Sequence, residues 1–410
     1  MTAATLTSPG DALTRRRRVA TLLVLGLLAG LGPFTIDLYL PAFPEVKGEF
    51  ATTDAAVQLT LSATTLGFAF GQLVVGPLSD RIGRRAPLLI ATSVHVLASV
   101  GVALAPDIVS LSLLRIVQGF GAAAGTVVAM AMVRDLFSGK KLTTALSRLA
   151  LVIGIAPIAA PVVGSWLLGI LHWRGLFWVL AAYAVLVIVL QLLFLRETLP
   201  PHLRHVPGHS TLRQRYRSVL TDRVFVGVAI IGASIFGGMF AYLATSSLLL
   251  QEVYGFSPSG FGLIFALCSV AVLIGTQSAG RAANRWGAQW VLAVSTSLLI
   301  VGASLIVVLD LAGLGILGLV PPLALFAFAF GLSMPCVQTL ALAGHRGEAG
   351  TAASLLGALN MSIAGLVSPI VGLFRIENAI PMGVIMLICG ILATAALWLV
   401  VRPRQVPAIE

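Results

Sequence analysis

The sequence predicts an all-α integral membrane protein whose twelve transmembrane helices form two pseudo-symmetric six-helix halves. Of the 410 residues, 58% are hydrophobic and only 10% are charged, whereas roughly 25% are charged in ordinary soluble domains. A helix needs about 20 mostly apolar residues to cross a bilayer, so this chain has enough for roughly a dozen crossings. The composition therefore excludes a soluble enzyme.

Apolar runs of membrane-crossing length recur along the whole chain. The first run follows Arg15 to Arg18 and is too long for the core of a signal peptide, so we keep it as span one. The predicted spans one to twelve are 19–43, 55–77, 86–105, 108–133, 142–171, 174–195, 222–250, 258–280, 288–310, 313–343, 348–374 and 380–401.

The basic residues alternate steeply between the two sides of the predicted bundle. Of 26 lysines and arginines, 22 fall on one set of connections, and the opposite connections hold only Lys47, Arg174 and Arg375. By the positive-inside rule, both termini and the central loop are predicted to be cytoplasmic, in a multi-pass protein of the cell membrane. The net charge of +11 is then a topology signal, and we expect no nucleic-acid partner.

The only long polar stretch runs from Glu197 to Thr221 and separates six spans from six. We therefore predict two halves, at 19–196 and 222–402, joined by a cytoplasmic linker at 197–221. Residues 1–18 and 403–410 are the predicted cytoplasmic termini.

Two sequence echoes support a repeat. Gly76-x-x-x-Asp80-Arg81-x-Gly83 returns 204 residues later as Gly280-x-x-x-Asn284-Arg285-x-Gly287, and Pro161-x-x-Gly164 returns 208 residues later as Pro369-x-x-Gly372. Parallel repeats of this kind are typical of secondary transporters built from two halves.

Ionisable side chains inside a membrane are costly, so each is a candidate functional residue. Asp37 in span one and Arg115 in span four are the two that lie clearly within the predicted hydrocarbon. At about 1.5 Å of rise per residue, both fall in the outer third of the bilayer and at a similar level. A change in solvent access could then load or unload a proton on Asp37.

Two structural alternatives stay open at this stage. Asp37 could simply end span one before Pro41, and Arg115 could tie down backbone carbonyl groups. His95, alone in the middle of span three, is interpreted as a packing residue and is left outside the site.

Several other motifs are interpreted as helix packing rather than chemistry. Gly119-x-Gly121-x-x-x-Gly125 lies inside an apolar helix, where small residues allow close helix contact. Residues 138–141 lack the spacing of a phosphate-binding loop, so no nucleotide partner is expected. The cysteines at 268, 336 and 389 show no paired or metal-binding spacing, and we expect no metal and no cofactor.

Glycines and prolines interrupt span five at Gly154, Pro157, Pro161 and Gly164. Each proline removes a backbone hydrogen bond, and each glycine loosens the helix. Ordinary membrane-helix packing would also tolerate these residues, but their density favours a bending or rocking element.

Three motifs resemble a known family. Gly76-Pro77-Leu78-Ser79-Asp80-Arg81-Ile82-Gly83-Arg84-Arg85 is similar to the signature between spans two and three of the major facilitator superfamily. The stretch from Arg115 to Gly119 resembles the span-four motif of its proton-coupled members. The stretch from Ala160 to Gly164 resembles the antiporter motif of span five, although Ala160 and Ser165 replace two of its usual glycines.

Two further segments, 36–44 and 253–258, are similar to the bicyclomycin and chloramphenicol resistance branch (Bcr/CflA) of the twelve-span drug:proton antiporters. The resemblance is strong up to Pro200 and thinner beyond it. It implies export of small drug-like molecules in exchange for protons, with Asp37 as a candidate proton carrier and Arg115 in coupling. It also implies that Asp80, with Arg81, stabilises one closed state at the cytoplasmic gate.

A substrate cavity between the halves should be apolar with a few polar groups. Arg115 is the one cation predicted to be available there, which favours neutral or weakly cationic substrates such as phenicols or bicyclomycin. The candidate lining residues are Tyr39, Gln118, Tyr242, Gln338 and Asn360.

The alternative within transport is a carrier of a physiological metabolite such as an amino acid, a sugar or a siderophore. A membrane sensor would be expected to carry an extra cytoplasmic domain, and a membrane enzyme would need a catalytic set at membrane depth; the sequence shows neither. Lipid and protons are the other predicted partners, and a protein of this kind can function as a monomer.

Overall fold

The computed structural model describes residues 10, 14–201, 204, 212–344, 349–374 and 376–405. Arg375 and Arg346, two of the basic residues used for topology, lie outside this set. Within it, twelve helices are long and apolar enough to cross a membrane, as the sequence predicts. In chain order, spans one to twelve are built on helices Arg15–Asp37, Asp54–Ile82, Arg85–Ala103, Ile108–Leu136, Gly139–Leu168, Trp173–Phe194, Arg223–Leu248, Pro258–Trp286, Ala288–Leu311, Gly315–Ala343, Ala349–Gly372 and Ile380–Ala395.

Span one is interrupted at its far end. Its helix stops at Asp37, a short 3-10 turn covers Leu40–Ala42, and a second helix covers Phe43–Glu49. Proline lacks a backbone N–H and fits best in the first turn of a helix, so Pro41 and Pro44 each start a new segment. The predicted span 19–43 is therefore broken after Asp37.

Spans two and eight are longer than predicted and end in the same way. They continue to Ile82 and Trp286, and the next residues, Gly83 and Gly287, have φ angles of +102° and +86°. Backbone in this region is adopted readily only by glycine. The final glycines of the repeated motif thus end both helices.

We call the end of the bundle that carries Gly83 and Gly287 the inner end, and the opposite end the outer end. The inner end is the side predicted to be cytoplasmic. It also carries a short helix, Leu212–Thr221, within the predicted linker. Asp222 follows that helix and begins span seven, because its side chain accepts a hydrogen bond from the backbone N–H of Val224 at 2.9 Å.

Helix contacts in the second half repeat those of the first with an offset of six spans. In the first half, span two packs on span four, span three on spans four and six, and span one on span five. In the second half, span eight packs on span ten, span nine on spans ten and twelve, and span seven on span eleven. The two groups of six spans are therefore packed in the same way.

A pair of glycines makes a close helix crossing in each half. A Cβ atom added to Gly67 or Gly119 would overlap a backbone carbonyl of the facing helix, where spans two and four cross. Gly275 and Gly331 stand in the same relation where spans eight and ten cross. Only glycine permits the two backbones to approach so closely.

The two halves meet along spans two and eleven and along spans five and eight. At the outer end, Lys47 Nζ lies 2.6 Å from Glu252 Oε2, and Gln251 Nε2 donates to the carbonyl of Pro41 at 2.9 Å. Both contacts join the first half to the second. The outer end is therefore closed in this structure.

Spans five and eight differ between their two ends. Near the outer end, a Cβ on Gly262 of span eight would contact Ser165 of span five. Toward the inner end, no described atom lies within 4 Å of a Cβ placed on Gly154 or Gly280 of the same two spans.

Candidate functional site

Asp37 is placed inside the first half by the break in span one. It is the last residue of the helix, and only 4% of it is exposed. Its Oδ1 atom has no hydrogen-bond partner among the described residues. A buried carboxylate without a partner is costly to keep ionised, so this position suits a group that gains and loses a proton.

Arg115 lies against the end of span one and is fully buried. Its Nη1 atom donates to the backbone carbonyl of Thr35 at 2.9 Å and to Gln118 Oε1 at 2.7 Å. The guanidinium carbon is 4.9 Å from the centre of the Tyr39 ring and 5.4 Å from that of Phe177. Aromatic faces stabilise a cation at this distance.

Both structural alternatives for this pair are observed: Asp37 ends a helix, and Arg115 binds a backbone carbonyl. They leave several polar atoms unexplained. No hydrogen bond or ion pair joins Asp37 to Arg115, both of which the structure describes, and Arg115 Nε and Nη2 have no partner within the described chain. The site therefore holds an acid and a base that are close neighbours but unpaired.

Span three contributes two polar residues to this site, and sequence reasoning left both out. His95 Nδ1 lies 3.1 Å from the carbonyl of Gln118, and Gln118 Nε2 donates to Ser99 Oγ at 2.8 Å. A usable signal was the i, i+4 spacing of His95 and Ser99, which places both on one face of the helix.

The three glycines of span four each contact a different span. A Cβ on Gly119 would overlap the carbonyl of Thr64 in span two, and one on Gly125 would overlap that of Leu28 in span one. Gly121 meets the backbone of span three beside His95. The packing interpretation of this motif is confirmed.

The antiporter-like motif touches the site through its last glycine. A Cβ on Gly164 would overlap the carbonyl of Leu38, the residue that follows Asp37. Ala160 is fully buried one turn earlier in the same helix. Span five therefore packs directly on the backbone next to the acid.

The prolines of span five do not divide its helix. The helix runs from Gly139 to Leu168 through both Pro157 and Pro161. Gly154 lies farther toward the inner end, where a Cβ added to it would meet no described atom within 4 Å.

The inner-end motif places Arg84 among acids of two spans. Its guanidinium hydrogen-bonds to Asp80, to Ser79 Oγ at 2.9 Å and to Asp135 Oδ2 of span four at 3.0 Å. Burial lowers the pKa of Arg84, but Asp135 and Asp80 raise it more, so the net pKa is above its usual value. This arginine therefore remains charged.

Glu197 caps the first turn of span three from the segment after span six. Its carboxylate accepts hydrogen bonds from the backbone N–H groups of Arg84 at 2.9 Å and Arg85 at 3.1 Å. Burial raises the pKa of Glu197, but these bonds and those from Thr198 and Leu199 bring it below its usual value. No local sequence pattern predicts this contact between residues so far apart in the chain.

The rest of the inner-end motif is more open. Asp80 and Arg81 are exposed, and Gly76 is half-buried. Arg85 Nη2 donates to the carbonyl of Leu192 at 3.3 Å. Leu192 and Asp135 belong to the first half, and Glu197 is the first residue after it, so these contacts tie the motif to its own half in this structure.

Of the five residues proposed to line a cavity, Tyr39 and Gln118 both contact Arg115, and Tyr242, Gln338 and Asn360 lie in the second half. Tyr39, Gln118 and Tyr242 are buried in packed regions, with 0%, 0% and 1% exposure. Asn360 is 7% exposed, and its Oδ1 atom has no partner among the described residues. Gln338 is exposed on span ten.

A polar cluster at the outer end was also missed. His172 Nε2 lies 3.0 Å from Glu45 and 3.2 Å from Glu49. Glu49 also accepts from the indole of Trp173 at 2.5 Å and forms an ion pair with Arg174. These contacts fasten the helix Phe43–Glu49 to the connection before span six.

Cys268, Cys336 and Cys389 are buried and unpaired, in spans eight, ten and twelve. Within the described ranges, no group of three or more His, Cys, Asp or Glu residues could hold a metal ion.

Comparisons with known proteins agree with one another. The family model described as Major Facilitator Superfamily matches residues 22–369. The chain is 34% identical to the uncharacterized MFS-type transporter YdgK of Bacillus subtilis, over 95% of this chain and 98% of that protein. It is 31% identical to a chloramphenicol resistance protein of Pseudomonas aeruginosa (93% and 90%) and 27% identical to a bicyclomycin resistance protein homolog of Haemophilus influenzae (92% and 94%).

Among solved structures, the chain is similar to a bacterial homolog of the human lysosomal transporter Spinster, captured inward-facing and occupied. The TM-score is 0.75 at 16% identity, over 97% of this chain and all of that chain. At this identity the likeness concerns the fold alone. The predicted major facilitator fold and the resemblance to the bicyclomycin and chloramphenicol branch are both confirmed.

Proposed function

The chain belongs to the Major Facilitator Superfamily and is a membrane transporter rather than an enzyme; on this premise we propose that it exports small drug-like molecules in exchange for protons. Its relatives carry names of bicyclomycin, chloramphenicol and multidrug resistance proteins. These names support drug efflux as the class of activity.

The proposal of proton exchange rests chiefly on Asp37, which is buried and whose Oδ1 atom has no hydrogen-bond partner among the described residues. A carboxyl held in a buried site can switch between its neutral and ionised forms when solvent access or a nearby cation changes. Arg115 is such a cation, and its Nε and Nη2 atoms have no partner among the described residues. We assign Asp37 as the proton carrier and Arg115 as the residue that couples its charge to the state of the bundle.

Alternating access requires the two halves to rock around a central site. The closed outer end supports assigning this structure to the state open toward the inner end. In the opposite state, Asp80 with Arg81 would stabilise closure at the inner end. Gly164 would transmit movement of span five to the backbone beside Asp37.

The substrate is expected to be neutral or weakly cationic. Among the described residues of spans seven to twelve, charged side chains lie at the span ends, so the interior of the second half offers no cation for an anionic substrate. The proposed cavity residues would then act as individual polar contacts within an apolar surface.

The proposed setting is the cell membrane, with both termini on the cytoplasmic side and a monomer as the working unit. The basic residues that set this orientation cluster at the inner end. Arg84 and Arg85 are examples.

The deciding experiment uses purified protein in acid-loaded proteoliposomes and measures proton release when phenicols, bicyclomycin or cationic dyes are added. We expect wild-type protein to release protons with at least one of these compounds. Asp37→Asn should abolish that release because the amide cannot take up a proton.

Asp107→Asn is the matched control. It makes the same chemical change in an acid at the outer end, where Asp107 caps span four and Asn also serves as a helix cap. Its exchange should equal that of wild type. Full exchange by Asp37→Asn would disprove the proton role, and silence of folded wild-type protein with every compound would favour the metabolite alternative.

A further inference from the structure

We propose that His95 and Ser99 of span three are positioning residues that hold Gln118, and through it Arg115, away from Asp37. In doing so they set the pH range in which exchange operates. This inference rests on the proposed proton exchange and adds its regulation. It concerns two residues outside the motifs that carry the family resemblance.

Four hydrogen bonds form the network, and two of them, Gln118 to Ser99 and His95 to Gln118, link span three to span four. Gln118 Oε1 accepts from Arg115 at 2.7 Å, and Gln118 Nε2 donates to Ser99 Oγ at 2.8 Å. Ser99 Oγ donates to the carbonyl of His95 at 2.7 Å, and His95 Nδ1 lies 3.1 Å from the carbonyl of Gln118. The side chain and the backbone of Gln118 are thus both held by span three.

The partners fix the direction of each bond. Arginine only donates, so the oxygen of the Gln118 amide must face Arg115 and its nitrogen must face Ser99. A carbonyl only accepts, so His95 carries its proton on Nδ1 when it bonds to Gln118. A neutral imidazole satisfies this arrangement, and its Nε2 lies 3.4 Å from Ser99 Oγ.

Burial makes the arrangement stiff. His95, Ser99, Gln118 and Arg115 are all 0% exposed, and loss of one partner would leave another buried polar group unsatisfied. Gly121 permits this contact because its missing side chain lets span four approach the backbone of span three.

Arg115 can bond either to Gln118 or to Asp37, and in this structure it bonds to Gln118. Its Nη1 atom is engaged by Gln118 and by the carbonyl of Thr35, while Asp37 Oδ1 remains unpartnered among the described residues. If Gln118 were released, the guanidinium would be freer to approach Asp37. An opposite charge nearby favours the ionised acid, so exchange would shift to lower pH.

Few other groups could cause such a shift. The titratable side chains near Asp37 are Tyr39 after span one, His95 on span three and Arg115 on span four. Span two contributes Thr60, which bonds to Tyr39 at 3.3 Å, and span six contributes Phe177. The part of span five packed here presents Gly164, which does not titrate.

The test measures the pH midpoint of drug-evoked proton exchange in proteoliposomes for His95→Leu and Ser99→Ala. Both should lower the midpoint by about one pH unit, equivalent to about 1.4 kcal/mol. His95→Asn should restore most of the wild-type value, because its amide nitrogen can replace Nδ1 as the donor to Gln118.

Thr92→Val is the matched control. Thr92 lies on the same span and accepts a buried hydrogen bond from Gln191 of span six at 3.2 Å, away from Arg115. We expect it to leave the midpoint unchanged. An unchanged midpoint in Ser99→Ala, which removes a single oxygen atom, would overturn the proposal, as would an equal shift in Thr92→Val.

A second measurement separates this inference from the proposed function. The pH dependence of thermal unfolding in detergent, compared between each protein and its Asp37→Asn derivative, reports the titration of Asp37 without transport. The difference in unfolding temperature between each protein and its Asp37→Asn derivative depends on pH. Ser99→Ala should shift that dependence to lower pH by a similar amount. If wild type shows no exchange, the proposed function fails, yet the unfolding data still support or overturn the positioning role.

Discussion

The two halves of the molecule share a scaffold but differ sharply in their interiors. Aligned on the crossing glycines Gly119 and Gly331, Arg115 corresponds to Ala327 and Gln118 to Phe330. The 204-residue offset of the inner-end motif pairs His95 with Leu299 and Ser99 with Ala303.

These second-half counterparts are all apolar. Leu299, Ala303 and Ala327 are at most 1% exposed, and Phe330 packs edge-on against Phe236 with ring centres 5.3 Å apart. Backbone packing therefore does not require the polar network. No such network lies among the described residues of the second half, which supports the proposed task in coupling rather than a task in folding.

The largest difference between the halves should appear on removal of buried polar groups. Arg115→Leu is expected to lower drug-evoked proton exchange by at least about 100-fold, or about 2.7 kcal/mol, because no other cation of the described chain lies beside Asp37. Ser333→Ala in span ten breaks the 2.8 Å bond to Ser295 and should leave exchange within about two-fold of wild type, since each hydroxyl contributes only about 1 kcal/mol. Equal losses of exchange in both variants, measured in proteoliposomes, would show that the two halves do not differ in this way.

The shared scaffold should respond equally in both halves. Gly119→Ala and Gly331→Ala each force a methyl group onto a facing backbone carbonyl, and overpacking of this kind costs about 1–3 kcal/mol. Both should lower the thermal unfolding temperature in detergent by a similar amount. Gly280→Ala, at a position where an added Cβ meets no described atom within 4 Å, is the control and should leave it unchanged. A loss confined to one half would show that the crossings are not equivalent.

The repeated inner-end motif offers a sharper contrast, because Asp80 is replaced by Asn284 in the second half. Asp80→Asn removes one of the two acids that pair with Arg84, and we expect transport to slow several-fold while drug binding is kept. Asn284→Asp should change transport little. Drug uptake into everted vesicles together with equilibrium binding tests both expectations, and loss of binding in Asp80→Asn would contradict a role in gating.

The smallest effect concerns the acid that caps span three. The pKa of Glu197 is lower in the folded protein, so its stabilisation is present above its ordinary value near 4.3 and is lost as the pH falls through the folded value. Glu197→Gln should therefore lower stability at pH 7 by about 0.5 kcal/mol, because the group is partly exposed. The difference from wild type should vanish once the pH falls below the folded value. A difference that persists in acid would assign the effect to packing.

Much of the fold follows from the sequence because the membrane imposes simple rules. Apolar run length and the distribution of arginines predict twelve spans, and the glycine spacing of span four predicts its close contacts. Span ends were less accurate, since the helices of spans two and eight continue through polar residues until a glycine changes the backbone.

The site was only partly predictable. Asp37 and Arg115 stand out because charge is rare in an apolar helix, and their proximity followed from depth. The rotation of span three about its axis could not be predicted. Lipid and the protein interior are both apolar, so the pattern of apolar residues does not show which face of the helix is buried in the protein. Contacts such as Glu197 with Arg84 join residues far apart in the chain, which no local pattern reports.

The placement of the cysteines has a practical consequence. All three are buried in the second half, and the sequence of the first half contains none. A cysteine introduced at exposed Arg285 of the inner end would thus be the one exposed thiol of the described chain open to a maleimide dye. Fluorescence from that dye could report opening and closing of the inner end in real time.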